Sequence, residues 1–440
     1  MVLTHGVYFY PLKDSVYLRN VNNQRDYMFN ATACDILEYI RSHPGCSETD
    51  ICLYMLELYQ IADPSELERD IRLFVEELSG SGIVVPDDDT AGILEDNINN
   101  RVDELCQRHG ILHSVSLELT YRCSERCIHC YVDDGCRCNP EPELTMEEYK
   151  DILHQLREMG CINLLLTGGE VCLHKHFIEI ARYAVSQGFL VDVYTNGISM
   201  TDEQFDELCE MKVNSVSFSL YSGVPEIHDA ITKVPGSFER TVKRMMMFKC
   251  AGVDTYIKTV VIQQNLDSLH TLFELGKRLR IEVAPATSIS DTHSGQSANT
   301  CRLQTQEQRI KAIHLIRTYN PSSGPSGERD LDGTVCNAAT TGLSVDPYGG
   351  VHPCLAFPEP VGSVRESTIR EIWENAPLMR QIRSLRFREL SADCSSCACA
   401  GKCAVCLGAA YVESGGKLCP SSDTCQWTQA KYEADDPASI

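Results

Sequence analysis

Between residues 112 and 320 the chain alternates between two hydrophobic patterns. Runs rich in strand formers are SVSLELT (114–120), INLLLTGGE (162–170), FLVDVYTNG (189–197), VNSVSFSLYS (213–222), VDTYIKTVVIQQ (253–264) and IEVAPATSI (281–289). After each comes a segment whose apolar residues recur every three or four positions, as in LTMEEYKDILHQLREMG, HFIEIARYAVSQG and SFERTVKRMMMFKCAG. The first pattern predicts strands and the second amphipathic helices. Six strand–helix units in succession predict an α/β fold, a partial (β/α)6 TIM-like barrel over 112–320. Ligands of such sheets bind at the C-terminal ends of the strands. The run Met245–Met247 falls on a helix and reads as core filling.

The flanks have other patterns. In residues 1–90, VYFYPLKDSVYLRN predicts a β-hairpin, followed by three helices in TACDILEYIRSH, SETDICLYMLELYQ and SELERDIRLFVEELSGSG, then a short strand in GIVVPDDD. This is a winged-helix-like domain. Its helices are acidic, so an extended peptide on a sheet edge suits it better than DNA. An acidic linker spans 91–111. PSSGPSGERDLDG (321–333) predicts a boundary, and 321–440 is a cysteine-rich C-terminal domain short of regular structure, apart from a helix in STIREIWENAPLMRQIRSLR. Such a segment needs metal staples to fold. The tail YEADDPASI reads as frayed.

Charge and cysteine content narrow the class. The chain has 39 Lys and Arg against 62 Asp and Glu, a net charge of −23, which argues against nucleic acid as partner. The N-terminus lacks the basic start and apolar run of a signal peptide, and no apolar stretch is long enough to span a membrane, so a cytoplasmic location is expected. Without a secretory signal, 23 clustered cysteines read as metal or iron–sulfur ligands before they read as disulfides.

The densest chemistry lies in SLELTYRCSERCIHCYVDD, where Cys123, Cys127 and Cys130 stand in CxxxCxxC spacing on the loop leaving the first barrel strand. Three thiolates on one loop can hold three irons of a 4Fe–4S cluster and leave the fourth iron open. A zinc site completed by His129 is the alternative. Gly168, Gly169 and Glu170 end the second strand; the glycines allow a ligand close to the backbone, and the carboxylate can accept from an ammonium group. Thr195, Asn196 and Gly197 end the third strand and Ser219 the fourth, offering polar contacts or simple turns. Lys258, on the fifth strand, can meet a carboxylate or stand solvated.

Taken in order, CxxxCxxCY, GGE and TNG resemble a radical S-adenosylmethionine enzyme. The resemblance implies that Cys123, Cys127 and Cys130 hold the catalytic cluster, whose open iron chelates S-adenosylmethionine. Glu170 would hold the ammonium and Tyr131 would lie near adenine. One electron, from a flavodoxin or ferredoxin-type donor, would cleave the sulfonium to give a radical that abstracts hydrogen.

The C-terminal spacing extends the likeness. Cys336, Gly349 and Cys354 read as C-x12-G-x4-C; Cys394, Cys397, Cys403 and Cys406 read as CxxC-x5-CxxC, with Cys425 beyond. This is similar to the SPASM extension, which carries auxiliary 4Fe–4S clusters, except that the family has three residues before the fourth of those cysteines. The family's pairing implies one cluster on Cys394, Cys397, Cys403 and Cys425, and another on Cys336, Cys354 and Cys406. The second set lacks a fourth ligand; Cys399, Cys419 and Cys301 are candidates, and an iron left open there can take an outside thiolate.

The N-terminal domain resembles the PqqD-like recognition element of ribosomal-peptide maturases, which implies a precursor peptide with a leader segment as partner. The expected function is formation of thioether crosslinks from cysteine sulfur to a peptide carbon, as in sactipeptide or ranthipeptide maturation. Rival readings are a carbon–carbon crosslinking maturase, a sulfatase-maturing-type enzyme, in which an Asp usually stands where Leu355 follows Cys354, and a non-catalytic iron–sulfur or zinc redox sensor.

Overall fold

A computed structural model describes residues 1–4, 7–12, 15–20, 23, 25–59, 64–85, 106, 110–292, 300–320 and 330–435. The expected linker, apart from residues 106, 110 and 111, lies outside the described residues, as do 321–329 of the expected boundary and the last five residues of the tail. The chain divides into two compact units. One is Met1–His113 with the short loops Gly160–Ile162 and Ser186–Gly188; the other comprises Ser114–Met159, Asn163–Val185 and Phe189–Ile440.

In the first unit β1 (Val2–Leu3) pairs antiparallel with β5 (Val84–Val85). A second sheet runs β2 (Val7–Leu12), β3 (Ser15–Asn20), β4 (Arg25–Asn30), all antiparallel. The hairpin and the three helices, Ala31–Ser42, Glu48–Tyr59 and Pro64–Gly80, fall where the pattern puts them. The strand β4 was not singled out, because RDYMFN alternates over only a few residues. It leads straight into the first helix, where the Asn30 side chain accepts from the Ala33 amide and satisfies one of the free N–H groups. Leu18, Leu37, Ile40, Ile51, Met55 and Leu78 close the core.

The second unit is built on a nine-stranded sheet. Its parallel part runs β11 (Glu282–Ala286), β10 (Thr255–Val260), β9 (Ser215–Ser219), β8 (Leu190–Thr195), β7 (Asn163–Thr167), β6 (Ser114–Glu118). Leu117, Leu166, Val193 and Val216 follow one another across the register and are buried on one face of the sheet. Thr145, Thr201, Thr305 and Thr368 each start a helix with a capping box completed by the Glu or Gln three residues on. Met245 is buried as core filling.

The cysteine-rich segment is more regular than its composition suggests. Its β12 (Gly342–Val345) adds parallel to β6, followed antiparallel by β13 (Gly350–His352) and β14 (Gly362–Ser363). Strands of two to four residues leave too little periodicity to read. The expected C-terminal helix is two helices, Ile369–Asn375 and Pro377–Ser384, parted at Pro377, whose ring cannot continue a helix. The expected frayed tail is partly tied down. Helix Ser422–Glu433 packs on Gln306–Tyr319, the buried Arg309 guanidinium meets Asp423 at 3.2 Å, and Asp435 takes Arg317 at 2.8 Å.

One close approach positions the strand ends. Gly168 has φ +132°, and Gly169 lies so near the chain leaving β6 that an added Cβ would stand 2.5 Å from the Arg122 carbonyl oxygen and 2.7 Å from that of Tyr121. Two backbone bonds hold this seam, Gly169 N–H to Thr120 O at 2.7 Å and Glu170 N–H to Arg122 O at 2.8 Å.

Gly169→Ala is expected to destabilise the chain by about 1–3 kcal/mol, as overpacking does, and to lower bound iron per chain, measured by thermal unfolding and iron assay. Asp423→Asn leaves the Arg309 charge buried without its partner and is expected to cost about 3–5 kcal/mol, read as a lower unfolding midpoint in calorimetry.

Candidate cluster and ligand site

The loop after β6 is held from both sides. At the end of the strand, buried Glu118 accepts from the Tyr131 hydroxyl at 2.5 Å and from the Tyr121 hydroxyl at 3.1 Å. Burial pushes its carboxyl up to about 7, against the lowering effect of the Tyr131 bond. On the far side Arg126 N–H donates to Thr232 O and Ile128 N–H to Ile231 O, both at 3.0 Å, fastening the loop to the helix Pro225–Thr232.

This brings Cys123, Cys127 and Cys130 together. Burial pushes Cys123 up to about 12 and raises Cys127 and Cys130 as well, and the neighbouring thiols raise Cys127 further. As bare side chains these thiols stay neutral; as thiolates they need a cation beside them. Glu125 N–H lies 3.4 Å from Cys123 Sγ and Asn196 Nδ2 3.8 Å from the same sulfur. Among the described residues no three of His, Cys, Asp or Glu converge closely enough to hold a single metal ion.

The three cysteines border a cavity of about 330 Å³ at the C-terminal ends of the barrel strands. Of the residues proposed from sequence, Tyr131, Gly168, Gly169, Thr195, Asn196 and Ser219 line it too. Glu170 and Lys258 do not. The Glu170 carboxylate is buried and accepts from Thr195 Oγ1 at 2.6 Å, Asn196 N–H at 2.7 Å and Cys172 Sγ at 3.1 Å. Its oxygens fix the turn at Thr195 and Asn196, Oε1 taking the Thr195 hydroxyl and the Cys172 thiol and Oε2 the Asn196 amide. The Lys258 ammonium lies 5.5 Å from the centre of the Tyr194 ring, beside the cavity wall and not in it.

Sequence reasoning passed over one cavity residue, Glu125, and gave His129 and Tyr131 only part of their setting. His129 meets Tyr221 edge-on at 4.7 Å, and its Nδ1 is buried without a hydrogen-bond partner. Burial holds its imidazole down at about 4, so the ring is neutral. Tyr131, expected near adenine, lines the cavity with its hydroxyl committed to Glu118. Glu125 also lines the cavity and is buried, a carboxyl between two of the cysteines that the spacing motif ignores. Its position inside CxxxC was the available signal.

The C-terminal cysteines form two neighbourhoods. Burial pushes Cys354 up to about 12, and Cys406 and Cys336 lie near enough to raise it further. Cys403, Cys394 and Cys397 act in the same way on Cys425, and the Thr428 hydroxyl is 3.4 Å from Cys403 Sγ. Two of the three candidate fourth ligands go elsewhere. Cys399 keeps company with Cys397 and Cys403. Cys301 packs in the barrel against Cys127 and Ile128, 3.4 Å from the Ile128 carbonyl. Cys419 remains.

Comparison with known proteins agrees with this layout. Residues 117–276 match the Radical SAM superfamily, and residues 336–400 match SPASM, an iron–sulfur cluster-binding domain. The AdoMet-dependent heme synthase of Methanosarcina barkeri is 29% identical over 69% of this chain and 93% of its own length. The subtilosin biosynthesis protein AlbA of Bacillus subtilis is 26% identical over 67% of each chain. Among solved structures, Streptococcus suis SuiB bound to its precursor peptide SuiA superposes with a TM-score of 0.66 at 16% identity, covering 96% of this chain and 99% of that one. SuiB has also been solved with S-adenosylmethionine, with a TM-score of 0.63, the same 16% identity, and coverage of 96% of this chain and 100% of that one. The chain therefore carries a radical SAM domain, with a SPASM iron–sulfur cluster-binding domain C-terminal to it.

Proposed function

We propose that the chain is a peptide maturase that forms thioether crosslinks in a precursor peptide. The observation that carries this reading is the pairing of a CxxxCxxC cavity with a C-terminal set in which Cys336 and Cys406 lie beside Cys354. Cys123, Cys127 and Cys130 would hold the catalytic 4Fe–4S cluster, and Cys394, Cys397, Cys403 and Cys425 a fully ligated auxiliary one. A cluster on the first three thiolates supplies one-electron reductive cleavage of S-adenosylmethionine and, through it, hydrogen-atom abstraction.

The chain's own residues shape that chemistry. The backbone at Gly168 and Gly169 lets the methionine end of the ligand approach, and neutral His129 and Tyr221 offer ring surface to its adenine. Ser219 and Asn196 offer polar contacts to its ribose. Glu170 sets the turn that presents Asn196 and would hold the ligand's ammonium. An iron left open by Cys336, Cys354 and Cys406 would suit a soft substrate thiolate.

The first unit would receive the leader segment. Of the edges of the β2–β3–β4 sheet, β2 carries Pro11, which cannot donate to an added strand, whereas β4 has no proline and, among the described residues, pairs with β3 alone. Beside β4, Phe29 meets Phe74 of helix Pro64–Gly80 at 5.6 Å. An extended peptide added to β4 would lay alternate side chains along that aromatic wall. AlbA, a bacteriocin biosynthesis protein, and SuiB, solved with a precursor peptide, support this reading. The heme synthase relative supports a second one, chemistry on a tetrapyrrole.

Mass spectrometry of the precursor after anaerobic turnover decides between them. A loss of two hydrogens per crosslink, abolished when the precursor's cysteines are alkylated beforehand, is expected. A loss that persists after alkylation contradicts the thioether, and conversion of a tetrapyrrole with the peptide unchanged contradicts the maturase reading as a whole.

A further inference from the structure

The three loop sulfurs do not share one environment. Cys123 Sγ faces two neutral donors, the Glu125 amide at 3.4 Å and the Asn196 amide group at 3.8 Å. Cys127 Sγ lies 3.4 Å from a carboxylate oxygen of Glu125. Cys130 Sγ lies 3.4 Å from Nη2 of Arg137, a charged donor. No other side-chain cation among the described residues makes a hydrogen bond to any of the three.

Arg137 is placed for this contact. It ends a one-turn helix, Asp134–Arg137, whose start is capped by Asp133 accepting from the Cys136 amide at 3.0 Å. Its side chain is only 10% exposed, and its Nε is buried without a partner. Its ion pair, Asp134 at 3.3 Å, is 88% exposed and so contributes little in water. A guanidinium withdrawn from water and aimed at a sulfur is poorly compensated while that sulfur is a neutral thiol. It is well compensated when the sulfur carries charge.

Resting on the reading that Cys123, Cys127 and Cys130 hold an iron–sulfur cluster, we infer that Arg137 is a positioning residue that sets the reduction potential of that cluster through its charged hydrogen bond to the Cys130 sulfur. Hydrogen bonds to cluster sulfurs and nearby charge are recognised levers on potential. A cation beside a ligand sulfur favours the more negative, reduced state. It also offsets the Glu125 carboxylate at Cys127, which acts in the opposite sense. The cluster is thereby kept within reach of a protein electron donor.

Arg137→Leu removes the donor and keeps most of the bulk. Anaerobically reconstituted R137L is expected to carry iron and sulfide in wild-type amounts. In a redox titration followed by the electron paramagnetic resonance signal that responds to S-adenosylmethionine, its reduced-to-oxidised ratio at fixed potential should fall about tenfold, equivalent to about 59 mV for one electron. R137K should recover part of the shift and R137Q less. An unchanged potential in fully loaded R137L overturns the inference. If R137L fails to load, the K and Q variants decide by the same titration, equal potentials in the two overturning it. A wild-type protein with no iron–sulfide absorption would instead sink the cluster reading beneath it.

Discussion

Ionising a thiol away from water is unfavourable, and this chain does not do it without a cation. Burial raises the pKa of Cys123, Cys127 and Cys130 on one loop and of Cys354 and Cys425 in the C-terminal segment, and where thiols lie side by side they raise one another. Iron bound at these places would relieve that penalty and so couple cluster assembly to local folding. Much of the second unit is arranged around the first loop. Glu118 and helix Pro225–Thr232 fasten it, and the glycine pair of the next strand fits beneath it because no side chain would.

That seam links the three strand-end motifs into one body. The backbone after Gly168 is bonded to the chain leaving β6, and the Glu170 carboxylate holds the turn after β8. Asn196, so held, reaches back to Ser124 and Cys123. CxxxCxxC, GGE and TNG are therefore mechanically coupled as well as adjacent to one cavity. The C-terminal segment joins the same body through β12, which lengthens the barrel sheet beyond β6.

Much of this was legible in the sequence where periodicity or spacing is strong. Six parallel strands announce themselves as runs of strand formers, and three cysteines on one loop have few chemical uses. Short elements were not legible. β12 to β14 are too brief to show a period, and β4 hides beside the hairpin. Side-chain direction was not legible either. The three donors on the Glu170 carboxylate, and the bond of the cavity-lining Tyr131 hydroxyl to Glu118, show only in the structure. Cys301 was grouped with the C-terminal cysteines by residue type, whereas the barrel core claims it.

The central claim is that the three loop thiols hold one cluster with an iron left open for S-adenosylmethionine. Mössbauer spectroscopy and deoxyadenosine release, measured on the wild type and on Cys127→Ala after equal iron–sulfur reconstitution, test it most directly. The account predicts that the variant loses one cluster's worth of iron, keeps the C-terminal clusters, and releases no deoxyadenosine under reduction. Deoxyadenosine at the wild-type rate from Cys127→Ala would contradict it.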